Sequence, residues 1–229
     1  MILKIYFEEN GMTIPFQHQD VLNGVFYRTL LKGNQEIHDN FSNYAVSSIQ
    51  NCHKVEDGLM PYTGEEPFIQ VSTPEENEHL IIKLLTALPI HIKAKTKLFF
   101  GRAITNYEIT EFDVNPYEFD IIHTISPVLI IKNGQRYTFQ NTDKWEEMMN
   151  EICRKKLEHQ GIIDNSFRIV CDKSKLKAKS ILVSTAYNKC TNFVGIVYGK
   201  PNTRKTLYNL GIGGSTGSGF GSVAIVTAK

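Results

Sequence analysis

The sequence predicts an α+β chain in which one β-α-β-β-α-β plan is used twice in tandem. Three observations predict it: apolar periodicity that switches between strand and helix in that order within each half, an Asn115-Pro116 break near the middle, and a charge balance that reverses across the break. Residues 1–115 carry 9 Lys and Arg against 15 Asp and Glu, whereas residues 116–229 carry 16 against 9. A chain of 229 residues is long enough for two small domains, expected at 1–114 and 115–229. The reversed charge points the second half toward a polyanion, although surface charge also drifts without a partner.

In the first half, Ile2 to Phe7 reads as a strand. His18 to Lys32 reads as a helix with Leu22, Val25, Phe26, Thr29 and Leu30 on one stripe, stopped by Gly33. A short element at Gln35 to Phe41, a strand at Tyr44 to Gln50, a connection containing Gly58 and a strand at Pro67 to Ser72 follow. Thr73-Pro74-Glu75-Glu76 reads as a helix start capped by Thr73, with the helix running to about Leu85 and a strand returning within Lys97 to Phe112. This order is the ferredoxin-like, or RRM-like, pattern.

The second half begins the order again with Ile121 to Ser126. Asn133-Gly134 marks a two-residue hairpin between Val128 to Lys132 and Gln135 to Phe139. A helix from Thr142 to His159, capped by Thr142 or Asp143, carries Trp145, Met148, Met149 and Ile152 inward. Strands at Phe167 to Cys171, Lys179 to Thr185 and Phe193 to Tyr198, a helix at Thr203 to Leu210 and a last strand at Val223 to Thr227 complete the plan.

Composition excludes several classes. Hydrophobic residues at 41% and charged residues at 21% describe a folded chain and not a disordered one. Apolar runs such as Ile81 to Leu88 fall short of a membrane span, and the N-terminus has no basic start or apolar h-region, so a cytoplasmic protein is expected. Cys52, Cys153, Cys171 and Cys190 lack zinc-ligand spacing and are expected to be buried thiols. No metal and no cofactor is expected.

The most informative stretch is Gly211-Ile-Gly213-Gly214-Ser-Thr-Gly217-Ser-Gly219-Phe-Gly221, between a helix and a strand. Glycines at this density let a ligand approach backbone N–H groups, which is how phosphates are cradled. No Gly-Lys-Ser/Thr follows, and too little chain remains for a dinucleotide-binding unit, so a nucleotide cofactor is not indicated. The other reading is a surface loop held at both ends.

This glycine pattern, with a short helix before it and a strand after it, resembles the signature of the repeat-associated RNA-binding (RAMP) superfamily. More narrowly it resembles the repeat-processing endoribonucleases, the sixth of the CRISPR-associated protein families. Pro15 with the following helix and its Phe26-Tyr27, and Thr124-Ile125-Ser126-Pro127-Val128, are similar to that family's two domain openings. The resemblance covers nearly the whole chain. It implies metal-independent cleavage of precursor CRISPR RNA within its repeats, leaving 5′-hydroxyl and 2′,3′-cyclic phosphate ends. It also implies CRISPR repeat RNA as the partner. The alternative is a noncatalytic RAMP-fold RNA-binding subunit of a CRISPR effector complex. Monomer and homodimer both stay open.

Cutting RNA without metal requires a base for the 2′-hydroxyl, an acid for the departing 5′-oxygen and stabilisation of the phosphorane. The resemblance places a catalytic histidine at His38, in Glu36-Ile37-His38-Asp39, and an accompanying tyrosine at Tyr27. The other readings are an exposed turn histidine and a tyrosine packed beside the apolar stripe. A lysine found in some family members is absent from Phe41-Ser42-Asn43-Tyr44. Either Lys32 or Lys54 supplies that charge, or His38 and Tyr27 act without it and slowly, with His53 in reserve and His123 structural. For RNA binding, Lys173, Lys175, Lys177 and Lys179 line one face if that stretch is extended, reinforced by Arg204 and Lys205. Asn202, Thr203 and Tyr208 are placed to contact sugar or base. An edge strand blunted by lysines is the other reading of the ribbon.

Overall fold

The computed structural model describes residues 1–31, 42–94, 101–183 and 186–226, without the side chains at 27, 28, 30, 31 and 88–94. Lys32 and His38 therefore lie outside the described residues, as does the side chain of Tyr27.

Alternating apolar residues build the first sheet. In β1 (Ile2–Phe7), Leu3, Ile5 and Phe7 point into a core, and β1 pairs antiparallel with β5 (Phe68–Ser72) and β6 (Ile104–Thr110). With β2 (Ala45–Val46), the order is β2-β5-β1-β6. The helices α1 (His18–Leu31) and α2 (Glu78–Ala94) cover one face, contributing Leu22, Val25 and Phe26 from one and Leu80, Ile81 and Leu84 from the other.

The second sheet uses β7 (Phe119–Thr124), β10 (Arg168–Cys171), β13 (Val194–Tyr198) and β14 (Val223–Ile225) in the order β10-β13-β7-β14. Counting core strands along the chain, both sheets run second, third, first, fourth, which is the ferredoxin-like arrangement. Its helices are α3 (Trp145–His159) and α4 (Pro201–Leu210). Trp145, Met149, Cys153 and Leu157, spaced four apart, form the buried stripe of α3, while Met148 and Ile152 are only partly buried. Asn150 pairs through its side-chain amide with both backbone groups of Ile169, extending β10 by a side-chain rung.

Three hairpins decorate this frame: β3 (Cys52–Val55) with β4 (Gly58–Pro61), β8 (Ile130–Lys132) with β9 (Gln135–Tyr137), and β11 (Lys177–Val183) with β12 (Ala186–Asn192). The turn of the second is Asn133-Gly134, both residues at positive φ as the sequence predicts.

The structure corrects several expected boundaries. β2 stops at Val46 because Ser47 Oγ takes the Gln70 N–H and Ser48 N–H turns to Ser126 Oγ in the other half. Thr73 does not cap α2: its hydroxyl donates to the Asn43 carbonyl, and a 3-10 turn at Glu75–Asn77 leads into a helix that runs to Ala94. α3 likewise starts after Thr142 and Asp143, with no side-chain cap. Cys153, Cys171 and Cys190 are buried free thiols, and Cys52 is half-buried. No described helix is long and apolar enough to cross a membrane.

Candidate nucleic-acid interface

The two halves meet along the glycine-rich segment. Gly211, Gly213, Gly219 and Gly221 are buried, and the space their side chains would need is filled from the first half at Gly219 and partly at Gly211, and from the second half at Gly213 and Gly221. A Cβ at Gly219 would coincide with the Gln19 amide, and one at Gly211 would meet Ala45; Gly217 lies against Ser42 and Tyr44. At Gly221, at φ +69°, a Cβ would strike the Ile212 carbonyl oxygen. Several loop N–H groups already have protein acceptors: Ile212 donates to Gly221 O, Gly214 to Leu129 O and Gly221 to Pro127 O. The expected phosphate cradle is thus, over most of its length, a packing seam. Gly214 and Gly217 are only half-buried, flanking exposed Ser215.

Lys156 fixes this seam from behind. Its buried ammonium donates to the Leu210 and Gly211 carbonyls at the end of α4 and to Thr216 Oγ1, which in turn donates to Tyr44 O across the halves. Burial pushes its pKa down to about 8. The sequence gives little sign of this role, since Arg154-Lys155-Lys156 reads as an exposed helix end.

Arg204 is also internal. Its guanidinium pairs with Asp120 and donates to the carbonyls of Gly199, Asn115 and Tyr117, with the arginine side chain 0% exposed. Tyr208 donates to the same Asp120, and Thr203 to Asp164. These residues are placed to hold α4 to the second sheet, not to meet a ligand. Lys205 is surface-accessible but bridges Glu75 and Glu111 of the first half. The lysine ribbon is divided: Lys173 and Lys175 belong to a 3-10 turn whose Asp172 carboxylate accepts from Ser174, so only Lys177 and Lys179 share a strand face.

What the fold does open is a cleft of about 690 Å³ between the halves. Its floor is the start of α1, and its walls are the β3–β4 and β11–β12 hairpins. Phe16 is 45% exposed and lies 5.5 Å below the Lys54 ammonium; Tyr187 is 69% exposed; Lys179 lines the same cleft. His53 faces away, its ring 5.1 Å from that of Tyr62. His123 is half-buried on β7, and burial lowers its pKa.

His18 closes the floor of the cleft. Its Nδ1 lies 3.0 Å from the Pro15 carbonyl oxygen, which can only accept, so Nδ1 carries the proton. Burial, and then the nearby Lys179, hold its pKa below the ordinary histidine range against the raising effect of Pro15. Phe16, His18, Gln19 and Tyr187 carry no motif and were not legible as site residues; Phe16 and His18 stand beside Pro15 in the part of the chain that resembles the family's opening.

Two ferredoxin-like units joined through a glycine seam, with a cationic and aromatic cleft between them, define a RAMP-type architecture. The family model for the C-terminal part of the CRISPR associated protein Cas6 matches residues 108–225, more than half of the sequence. The chain belongs to the CRISPR associated protein Cas6 family. No curated protein matches it.

Solved structures share the fold. One described as CRISPR associated protein Cas6 superposes with a TM-score of 0.74 at 22% identity, over 99% of both chains. A Cas6-related protein from Pyrococcus furiosus gives 0.76 at 17% identity, over 100% of this chain and 99% of that one. A RAMP protein described as binding different RNA substrates gives 0.76 at 14% identity, over 99% of this chain and 100% of that one.

Proposed function

We propose that this protein is a metal-independent endoribonuclease that cuts precursor CRISPR RNA within its repeats. Membership of the Cas6 family carries this reading, and the cleft agrees with it, since two lysines and two exposed aromatic rings suit an unpaired RNA strand. The halves divide the work: residues 1–114 supply the reacting groups, and residues 115–229 hold the RNA through β11, its preceding lysines and the exposed part of the glycine segment.

In the proposed reaction the ribose 2′-hydroxyl attacks the adjacent phosphorus and loses its proton to a base. The bond from phosphorus to the 5′-oxygen breaks, and that oxygen takes up a proton. The products carry a 2′,3′-cyclic phosphate and a 5′-hydroxyl. His38 serves as one of the two proton-transfer groups, and Tyr27 binds the phosphate or orients the nucleophile. Lys54 and Lys32 are the cations available to the first half in place of the lysine absent from residues 41–44.

That absence also favours a second reading, a noncatalytic RNA-binding subunit of a CRISPR effector complex. End-group analysis separates the two. Repeat RNA incubated with the protein in EDTA should yield a fragment ending in cyclic phosphate and one with a 5′-hydroxyl that kinase labels directly. RNA that is bound but recovered whole would support the subunit reading.

A further inference from the structure

The start of α1 carries two buried acceptors that the fold leaves unpartnered. His18 is 7% exposed and Gln19 is 2% exposed, and both line the cleft between the halves. His18 Nδ1 is committed to Pro15 O, which leaves Nε2 of the neutral ring with only a lone pair to offer, and Nε2 has no hydrogen-bond partner among the described residues. The Gln19 amide nitrogen donates to Asn23 Oδ1, and its Oε1 also lacks a partner. A buried polar atom left unpaired costs about 1–3 kcal/mol; the Gln19 amide packs against Gly219 in the seam, so His18 Nε2 is the acceptor that indicates a cleft ligand supplying a donor.

The rim narrows the class of that ligand. Phe16 and Tyr187 present exposed rings, and the Lys54 and Lys179 ammonium groups line the same cleft. Rings that stack a planar group, cations for a phosphate and an acceptor beneath together describe one unpaired nucleotide. An exocyclic amino group offers two hydrogens. The pairing edge of uracil sets two carbonyl oxygens around its single N–H, and an oxygen there would face the lone pair of His18 Nε2. The geometry points to a nucleotide subsite at the start of α1 that accepts an unpaired base bearing an exocyclic amine, guanine, adenine or cytosine before uracil, with His18 Nε2 as the selecting acceptor. This inference rests on the reading that the cleft takes RNA.

The test is fluorescence anisotropy with single-stranded octaribonucleotides of adenosine, cytidine, uridine and purine riboside, the last being adenosine without its amine. The wild-type protein should bind the adenosine and cytidine oligomers roughly tenfold more tightly than the other two. In His18→Phe, which keeps a ring of similar size and leaves Pro15 O its bond from the His18 backbone N–H, the four affinities should converge on the uridine value. Should that variant fail to fold, the comparison of adenosine with purine riboside on wild type decides the matter alone. Equal affinities of wild type for all four oligomers would overturn the subsite and leave the RNA reading standing. No binding of any oligomer, or of repeat RNA, at low salt would overturn both.

Discussion

At the scale of single residues, stability turns on groups whose partners are fixed by the seam. The folded chain holds the Lys156 ammonium at about 8, whereas an unfolded lysine titrates near about 10.4. Between those values the unfolded chain binds the proton that the folded chain has released, so this residue makes stability rise with pH through that window. The stability of wild type relative to Lys156→Met, read from urea melts, should therefore grow between pH 8 and pH 10; a difference that stays flat would remove the buried charge from the account. Gly221→Ala combines a left-handed backbone with a collision against the Ile212 carbonyl and should cost more than about 3 kcal/mol. Gly161→Ala, at φ +71° but with open space around it, should cost about 1–2 kcal/mol. Comparable losses at both positions would mean that the seam is not tightly packed. Little at this scale was legible in the sequence. Arg204 and Lys156 read as surface cations because nothing local announces that Asp120, or a row of carbonyls at the end of α4, will close around them.

At the scale of elements, local patterning told most of the story where one element decides its own shape. The Asn133-Gly134 turn, the alternation of β1 and the helix of α3 are set by their own residues; the first two form where the sequence predicts, and α3 ends at His159 as predicted but begins at Trp145. The lysine ribbon fails because Asp172 and Ser174 close a local turn that competes with the extended chain, a side-chain effect that alternation does not reveal. β12 is not legible in the sequence, since Ala186–Asn192 is largely polar and its strand form comes from pairing with β11. For this hairpin the expected outcome is specific. Lys177→Ala with Lys179→Ala should lower the slope of log affinity for repeat RNA against log salt by about one per lysine, with the thermal midpoint unchanged. A slope equal to wild type would place the RNA elsewhere.

At the scale of the whole molecule, the two sheets share one interior boundary. Ile2 and Phe112 of the first half belong to the core of the second, the Met1 ammonium donates to Asn209 Oδ1, and Gln70 donates to Val223 O. The repeated β-α-β-β-α-β order was legible because it depends on periodicity alone. How the halves lean on each other was not, because the glycines that permit their approach look the same whether they admit a phosphate or a neighbouring side chain. Arg204→Ala should show this coupling: leaving Asp120 buried without its partner should cost about 3–5 kcal/mol. It should also weaken RNA binding, although Arg204 touches no ligand, since α4 leads directly into the seam. A variant that melts earlier but binds RNA normally at low temperature would separate stability from the cleft.

The most direct measurement of the central claim is cleavage of the repeat RNA in EDTA by wild type and by His38→Ala, with the cut position mapped. One cut within the repeat by wild type and none by the variant is expected, with RNA binding retained in both. Cleavage that requires a divalent metal, or that survives in His38→Ala, would contradict that claim.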